Sequence, residues 1–109
     1  MIKPFKIRID TMYYNVSEES RLIVNGKEAD GCIDYKAKQI KVNPDTMTEP
    51  QEWDQTVWHE VIHGIMYERD LSFEKTSEET LVNELSKCIR AFIIDNPVFI
   101  EGYYKGENK

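Results

Sequence analysis

The apolar residues of this chain change their spacing once, at Asn43-Pro44-Asp45, and that change points to strands first and helices after. Before it, Phe5-Lys6-Ile7-Arg8-Ile9-Asp10 alternates apolar with polar, the period of a sheet with one wet face, and Met12-Tyr13-Tyr14-Asn15-Val16 continues it. Leu22-Ile23-Val24 leads into Asn25-Gly26, a pair that tolerates positive φ and turns a hairpin. Cys32-Ile33-Asp34-Tyr35 and Gln39-Ile40-Lys41-Val42 put Ile33, Tyr35, Ile40 and Val42 on alternate positions around a polar connection, which predicts an antiparallel hairpin. After the break, Trp53, Val57, Val61 and Ile65 recur every four positions, with Trp58, Ile62 and Met66 beside them. A helix with a broad buried stripe is expected over about residues 49–69. Thr48 as N-cap, Gln51 completing a capping box and Pro50 in the first turn supply its start. Leu81, Val82, Leu85, Cys88, Ile89, Phe92 and Ile93 mark a second amphipathic helix that should end near Asp95, before Asn96-Pro97. The expected class is α+β.

With 109 residues the chain has room for one domain with one core, spanning 1–109. A net charge of -6 repels phosphate backbones, so direct nucleic-acid binding is not expected. No apolar run is long enough for a signal peptide or a membrane span, so the expectation is a cytoplasmic protein with no membrane partner. Cys32 and Cys88 lie far apart and form no C-x-x-C pair, which predicts buried free thiols. Glu18-Glu19 and the lysine-rich end, Lys105 to Lys109, are expected to be solvated.

Both histidines fall in His59-Glu60-Val61-Ile62-His63, the H-E-x-x-H pattern of zinc-dependent peptidases. Residues four apart on a helix lie one above the other, so two imidazoles can converge on one cation. Glu60 is turned aside from them, where it can act on a water as general base. A catalytic zinc site takes three protein ligands, one more than the histidines supply. Glu78, Glu79 and Glu84 on the second helix are the candidates. On a helical projection Glu78 lies nearest the centre of the apolar face, Glu79 toward its border and Glu84 away from it, so periodicity favours Glu78. Thr76-x-x-Glu79 is also a capping box, in which Glu79 would satisfy the helix's own first amides. Gly64 costs about 1 kcal/mol of helix propensity against alanine, which calls for a close neighbour or the metal site as its reason.

His59 to His63, followed by Glu79-Thr80-Leu81-Val82-Asn83-Glu84-Leu85-Ser86, resembles the ImmA/IrrE-like metallopeptidases, above all the very small versions encoded by bacteriophages and prophages. The likeness spans about residues 31–99, from the Gly31-to-Val42 hairpin to Asp95-Asn96-Pro97. In that family the third ligand is a glutamate one turn before a small or apolar residue and an asparagine or aspartate. That pattern falls on Glu79, with Val82 and Asn83 following; the resemblance thus implies a zinc ion held by His59, His63 and Glu79, while Glu78 stays open. Val82, Leu85 and Ser86 stand where the family often has alanine or phenylalanine. The resemblance also implies a minimal zincin-like fold, a small antiparallel sheet packed on two main helices, with a sheet edge that can pair with an extended substrate.

A peptidase reading follows, with a protein or peptide as substrate: Glu60 takes a proton from a water polarised by zinc, the peptide carbonyl is attacked, and Glu60 passes the proton to the leaving amine. Asp54, Asp70 or Asn83 could accept a hydrogen bond from an imidazole's other nitrogen. Tyr67, Tyr103 or Tyr104 could donate to an oxyanion, although an ordinary half-buried aromatic is the commoner role. The rival functions are a proteolytically inactive zinc-binding phage protein that binds a host factor, and a structural domain with surface histidines. The sequence does not set the oligomeric state.

Overall fold

The computed structural model describes residues 3–104, with side chains described as far as Glu101. The chain runs through strands β1 (Phe5–Ile9), β2 (Met12–Glu18), β3 (Ile23–Val24), β4 (Lys27–Glu28), β5 (Gly31–Asp34) and β6 (Gln39–Val42). A 3-10 turn at Pro44–Thr46 leads to α1 (Pro50–Glu68), α2 (Glu78–Asp95) and α3 (Pro97–Tyr104). The class is α+β, as the change of period predicts. No described helix is long and apolar enough to cross a membrane.

The sheet is mixed, where the resemblance implies an antiparallel one. Its order is β1-β2-β6-β5, with β3 and β4 forming a separate two-stranded ribbon. β1 with β2 and β5 with β6 are antiparallel hairpins, but β2 and β6 run parallel, Val16 opposite Ile40. The ribbon turns at Asn25 and Gly26, with φ of 53° and 80°, the left-handed pair that a two-residue hairpin loop needs.

One face of the sheet carries Ile7, Ile9, Tyr14, Val16, Ile40 and Val42, and α1 lays Trp53, Val57, Val61 and Ile65 against it. Both sets match the sequence periods, and burial of these side chains is the main stabilising contribution, each worth roughly 1.5–3 kcal/mol. Gly64 lies within this packing: a Cβ there would come 2.8 Å from Ile9 Cδ1 and 3.3 Å from Ile33 Cδ1. The close neighbour that explains this glycine is therefore the sheet.

The helix starts differ from expectation. α1 is capped by Glu49, not Thr48, and its capping box is completed by Glu52, not Gln51. Glu52 Oε2 accepts from the amides of Thr48 and Glu49 and from Thr48 Oγ1. A carboxylate reaches three donors where a Gln51 amide would present a weaker acceptor, and these bonds hold the Glu52 pKa below the usual carboxylate range. α2 is capped by Ser77, whose Oγ accepts from the Thr80 amide, while Thr76 Oγ1 accepts from Ser72 N. The Thr76–Glu79 capping box does not form, so Glu79 is not engaged as a cap. α2 ends at Asp95 as expected, and Pro97, which stops it, begins α3. Of the expected apolar face of α2, Phe92 is buried and Leu85, Cys88 and Ile89 pack half-buried on the core, but Val82 and Ile93 are exposed. Glu84, turned from that face, pairs with Arg69 at 3.0 Å. Both thiols are free and half-buried, less sheltered than expected.

Candidate metal centre and catalytic cleft

Because Val57, Val61 and Ile65 are drawn to the sheet, α1 can turn neither His59 nor His63 inward; both are exposed on its outer edge. Their Nε2 atoms stand 3.2 Å apart and the ring planes cross at 71°. Two neutral imidazoles so close share one proton, or both lone pairs face one cation. Nitrogens bound at about 2.0–2.1 Å to one tetrahedral zinc would stand roughly 3.3–3.4 Å apart. The pair fits a zinc ion.

Glu60 points the other way, toward the edge of the sheet, and is only 6% exposed. Burial pushes its carboxyl pKa up, opposed by the two imidazoles. It makes no hydrogen bond among the described residues. β5 runs along α1 beside it. A Cβ on Gly31 would lie 2.6 Å from Thr56 Cγ2 and 3.3 Å from Glu60 Oε2. Ile33 comes next, against Gly64, and Tyr35 follows, stacked on Tyr67 at 4.3 Å between ring centroids. No described strand pairs with the outer edge of β5.

Two recesses lie along this line. A cleft of about 410 Å³ is lined by Asp30, Gly31, Glu52, Gln55, Thr56, His59 and Glu60. A second, of about 490 Å³, is lined by Ile23, Val24, Cys32, Ile33, Asp34, Tyr35, Lys36 and Tyr67.

Among the described residues no third His, Cys, Asp or Glu joins the imidazoles in a group that could hold a metal. Glu78 and Glu79 are both exposed in the first turn of α2, with no hydrogen bond or ion pair among the described residues. None of Asp54, Asp70 and Asn83 bonds to either imidazole in the described structure. Asp54 Oδ1 is buried without a partner, Asp70 sits just past α1 with φ of 53°, and Asn83 is exposed on α2. Tyr67 lies one turn beyond His63 with its ring committed to Tyr35. The side chains of Tyr103 and Tyr104, and all of Lys105 to Lys109, fall outside the described residues.

Two residues that position the cleft, Asn43 and Gly31, carry no functional signal in the sequence. Asn43, which in sequence marks only a strand break, is fully buried. Its amide donates to the Asp30 carbonyl at 2.8 Å and its side chain donates to the Ala29 carbonyl at 3.1 Å, fixing the chain that enters β5. Its Oδ1 accepts from the Asp45 amide, and this local turn is the signal that was available in Asn-Pro-Asp. Gly31 reads in sequence only as the first residue of a hairpin. Its role is set by Thr56 and Glu60, residues distant in sequence.

Compared with known proteins, the chain matches no family profile, no curated sequence and no solved structure.

Proposed function

We propose that this chain is a zinc-dependent peptidase of the ImmA/IrrE-like kind, with His59 and His63 as two metal ligands and Glu60 as general base. The observation that carries the reading is the 3.2 Å Nε2–Nε2 approach of two exposed imidazoles beside a buried carboxylate with no hydrogen bond among the described residues. Glu79 is the proposed third ligand, and Glu78, on the same turn, is the alternative. Either joins the imidazoles only if the first turn of α2 and the motif face of α1 draw together when metal binds. A zinc ion at this place supplies Lewis acidity, polarising a carbonyl and acidifying water.

The protein's own groups do the rest. Glu60, its pKa raised by burial, takes a proton and holds it until an amine leaves. The unpaired edge of β5 offers backbone donors and acceptors to an extended peptide beside Glu60. Tyr67 is the proposed oxyanion donor and Asn83 the proposed partner of a ligand imidazole.

The test joins metal analysis to turnover. Protein purified without a metal-affinity tag and offered zinc should hold about one equivalent, and Glu60→Gln should keep the zinc while losing hydrolysis of an unstructured protein by roughly 100-fold or more. Less than a tenth of an equivalent refutes the site. Zinc retention with no turnover in either protein leaves a metal-binding protein that acts on a host factor without cleaving it.

A further inference from the structure

The two recesses beside β5 differ in chemistry. The first is lined by Asp30 and Glu52 together with buried Glu60, whose carboxyl makes no hydrogen bond among the described residues, and no lysine or arginine lines it. The second is walled by aliphatic and aromatic side chains, including Ile23 and Tyr67, which are 58% and 49% exposed. Asp34 and Lys36, also among its lining residues, contribute one charge of each sign. Both recesses open along one stripe of α1, in the order Glu52, Gln55, His59, His63, Tyr67, and β5 follows the same direction from Gly31 to Tyr35.

The geometry points to a bipartite substrate: an extended peptide with a lysine or arginine in the carboxylate cleft and a large apolar side chain in the groove against Tyr67, the two bracketing the imidazole pair. Complementary charge selects the first side chain, since a cation there meets Asp30, Glu52 and buried Glu60 with no lysine or arginine among the lining residues. Removal of exposed apolar surface from water selects the second. Spacing follows from the helix. Gln55 to Tyr67 spans about 18 Å at 1.5 Å per residue, which an extended chain covers in about five residues. A peptide with both features close together, or with acids at the cleft end, fills only one recess. This inference rests on the proposed peptidase site for what becomes of the bound peptide, but not for its docking.

The experiment is fluorescence anisotropy of labelled peptides of about ten residues with the full chain, in EDTA and again with zinc. One peptide carries Arg and Phe about five positions apart in a serine and alanine background; the others replace Arg by Glu or Phe by Ser. The Arg/Phe peptide should bind about tenfold or more tightly than either, and its advantage over the Glu peptide should shrink as salt rises. Tyr67→Ala should narrow the gap between Phe and Ser alone, and Asp30→Asn the gap between Arg and Glu alone. Equal affinities, a preference for Glu, or no binding in either condition by protein with a native circular dichroism spectrum overturns the inference. A chain that binds the Arg/Phe peptide but takes no zinc refutes the peptidase and retains this selectivity. One that takes zinc and cleaves peptides indiscriminately does the reverse.

Discussion

Gly31 and Glu60 are in such close approach that a single methyl group on the glycine would stand 3.3 Å from the glutamate's carboxylate and 2.6 Å from Thr56 Cγ2. Thr56 is β-branched and stiff on its helix, so it cannot simply swing aside. Gly31→Ala should therefore destabilise the fold by about 1–3 kcal/mol, as overpacking does. It should also cut peptide turnover more than zinc binding, because it pushes β5 from Glu60 without touching an imidazole. Chemical denaturation, zinc titration and a peptide-hydrolysis assay on the same preparation check both.

Gly64→Ala sets two effects against each other. Alanine gains about 1 kcal/mol of helix propensity, but its Cβ would come 2.8 Å from Ile9 Cδ1 inside a filled core. Overpacking of roughly 1–3 kcal/mol should win. Adding Ile9→Val, which removes the opposing methyl group, should recover part of the loss. Additive effects in that double-mutant cycle would show that the two sites do not press on each other.

Tyr14, fully buried, donates its hydroxyl to Glu68 Oε2 at 2.6 Å, and Lys38 Nζ donates to the same oxygen at 2.5 Å. Burial first, then the hydrogen bond and charge of Glu68, raise the Tyr14 pKa far above its ordinary value of 10.0. A group raised on folding contributes stability that is complete below its unfolded pKa and is lost as pH climbs beyond it. The melting temperature should thus be steady near neutrality and fall above about pH 10. Tyr14→Phe should flatten that alkaline fall and cost roughly 1.5–3 kcal/mol at neutral pH, the usual value of a hydrogen bond to a charged group. Tyr35, also raised by burial, leaves a residual slope.

Asn96 joins the end of α2 to the outer strand. Its Oδ1 accepts from the Arg8 amide at 2.7 Å, and its Nδ2 donates to the carbonyls of Arg8 and Phe92, each at 2.9 Å. Asn96→Ala strands these partners in a largely dry place, and a loss of about 2–4 kcal/mol is expected from unfolding curves. Asn96→Asp should cost at least as much, because its second oxygen would face the carbonyls of Arg8 and Phe92.

Loss of a ligand and loss of its neighbour should read differently. His63→Ala should abolish stoichiometric zinc uptake, whereas Glu79→Gln should weaken it by roughly 10-fold or more and Glu78→Gln leave it nearly unchanged. Isothermal titration calorimetry separates the three, and a larger effect at Glu78 than at Glu79 would exchange their roles.

What could be foreseen from sequence was whatever depends on near neighbours. Asn25-Gly26 requires positive φ in itself, and Trp53, Val57, Val61 and Ile65 state their own helical face, so the ribbon and α1 were legible. The motif spacing likewise forces His59 and His63 to one side of α1. Parallel pairing of β2 with β6 was not legible, since alternation is the same whichever way a neighbouring strand runs. The buried amides of Asn43 and Asn96 look like turn residues because their partners, Ala29 and Arg8, lie 14 and 88 positions away. Pro97 marked the end of one helix and equally the beginning of another. Val82 and Ile93 fit an amphipathic pattern, yet α2 rests on β1, α1 and α3 along a strip too narrow to cover them.

The parallel seam between β2 and β6 has a bearing on where Glu60 is placed. Each antiparallel hairpin can close from its own turn, but the seam is where two such pieces, made separately, must find a common alignment. Backbone bonds from Asn15 to Lys38 and from Glu19 to Val42 bracket it at either end. Slippage there by two residues would keep every side chain on its proper face while carrying β6, and β5 with it, about 6–7 Å along α1. Gly31 would then no longer meet Glu60. Thus the aim of the Glu60 carboxylate is decided one strand inward from the open edge of β5.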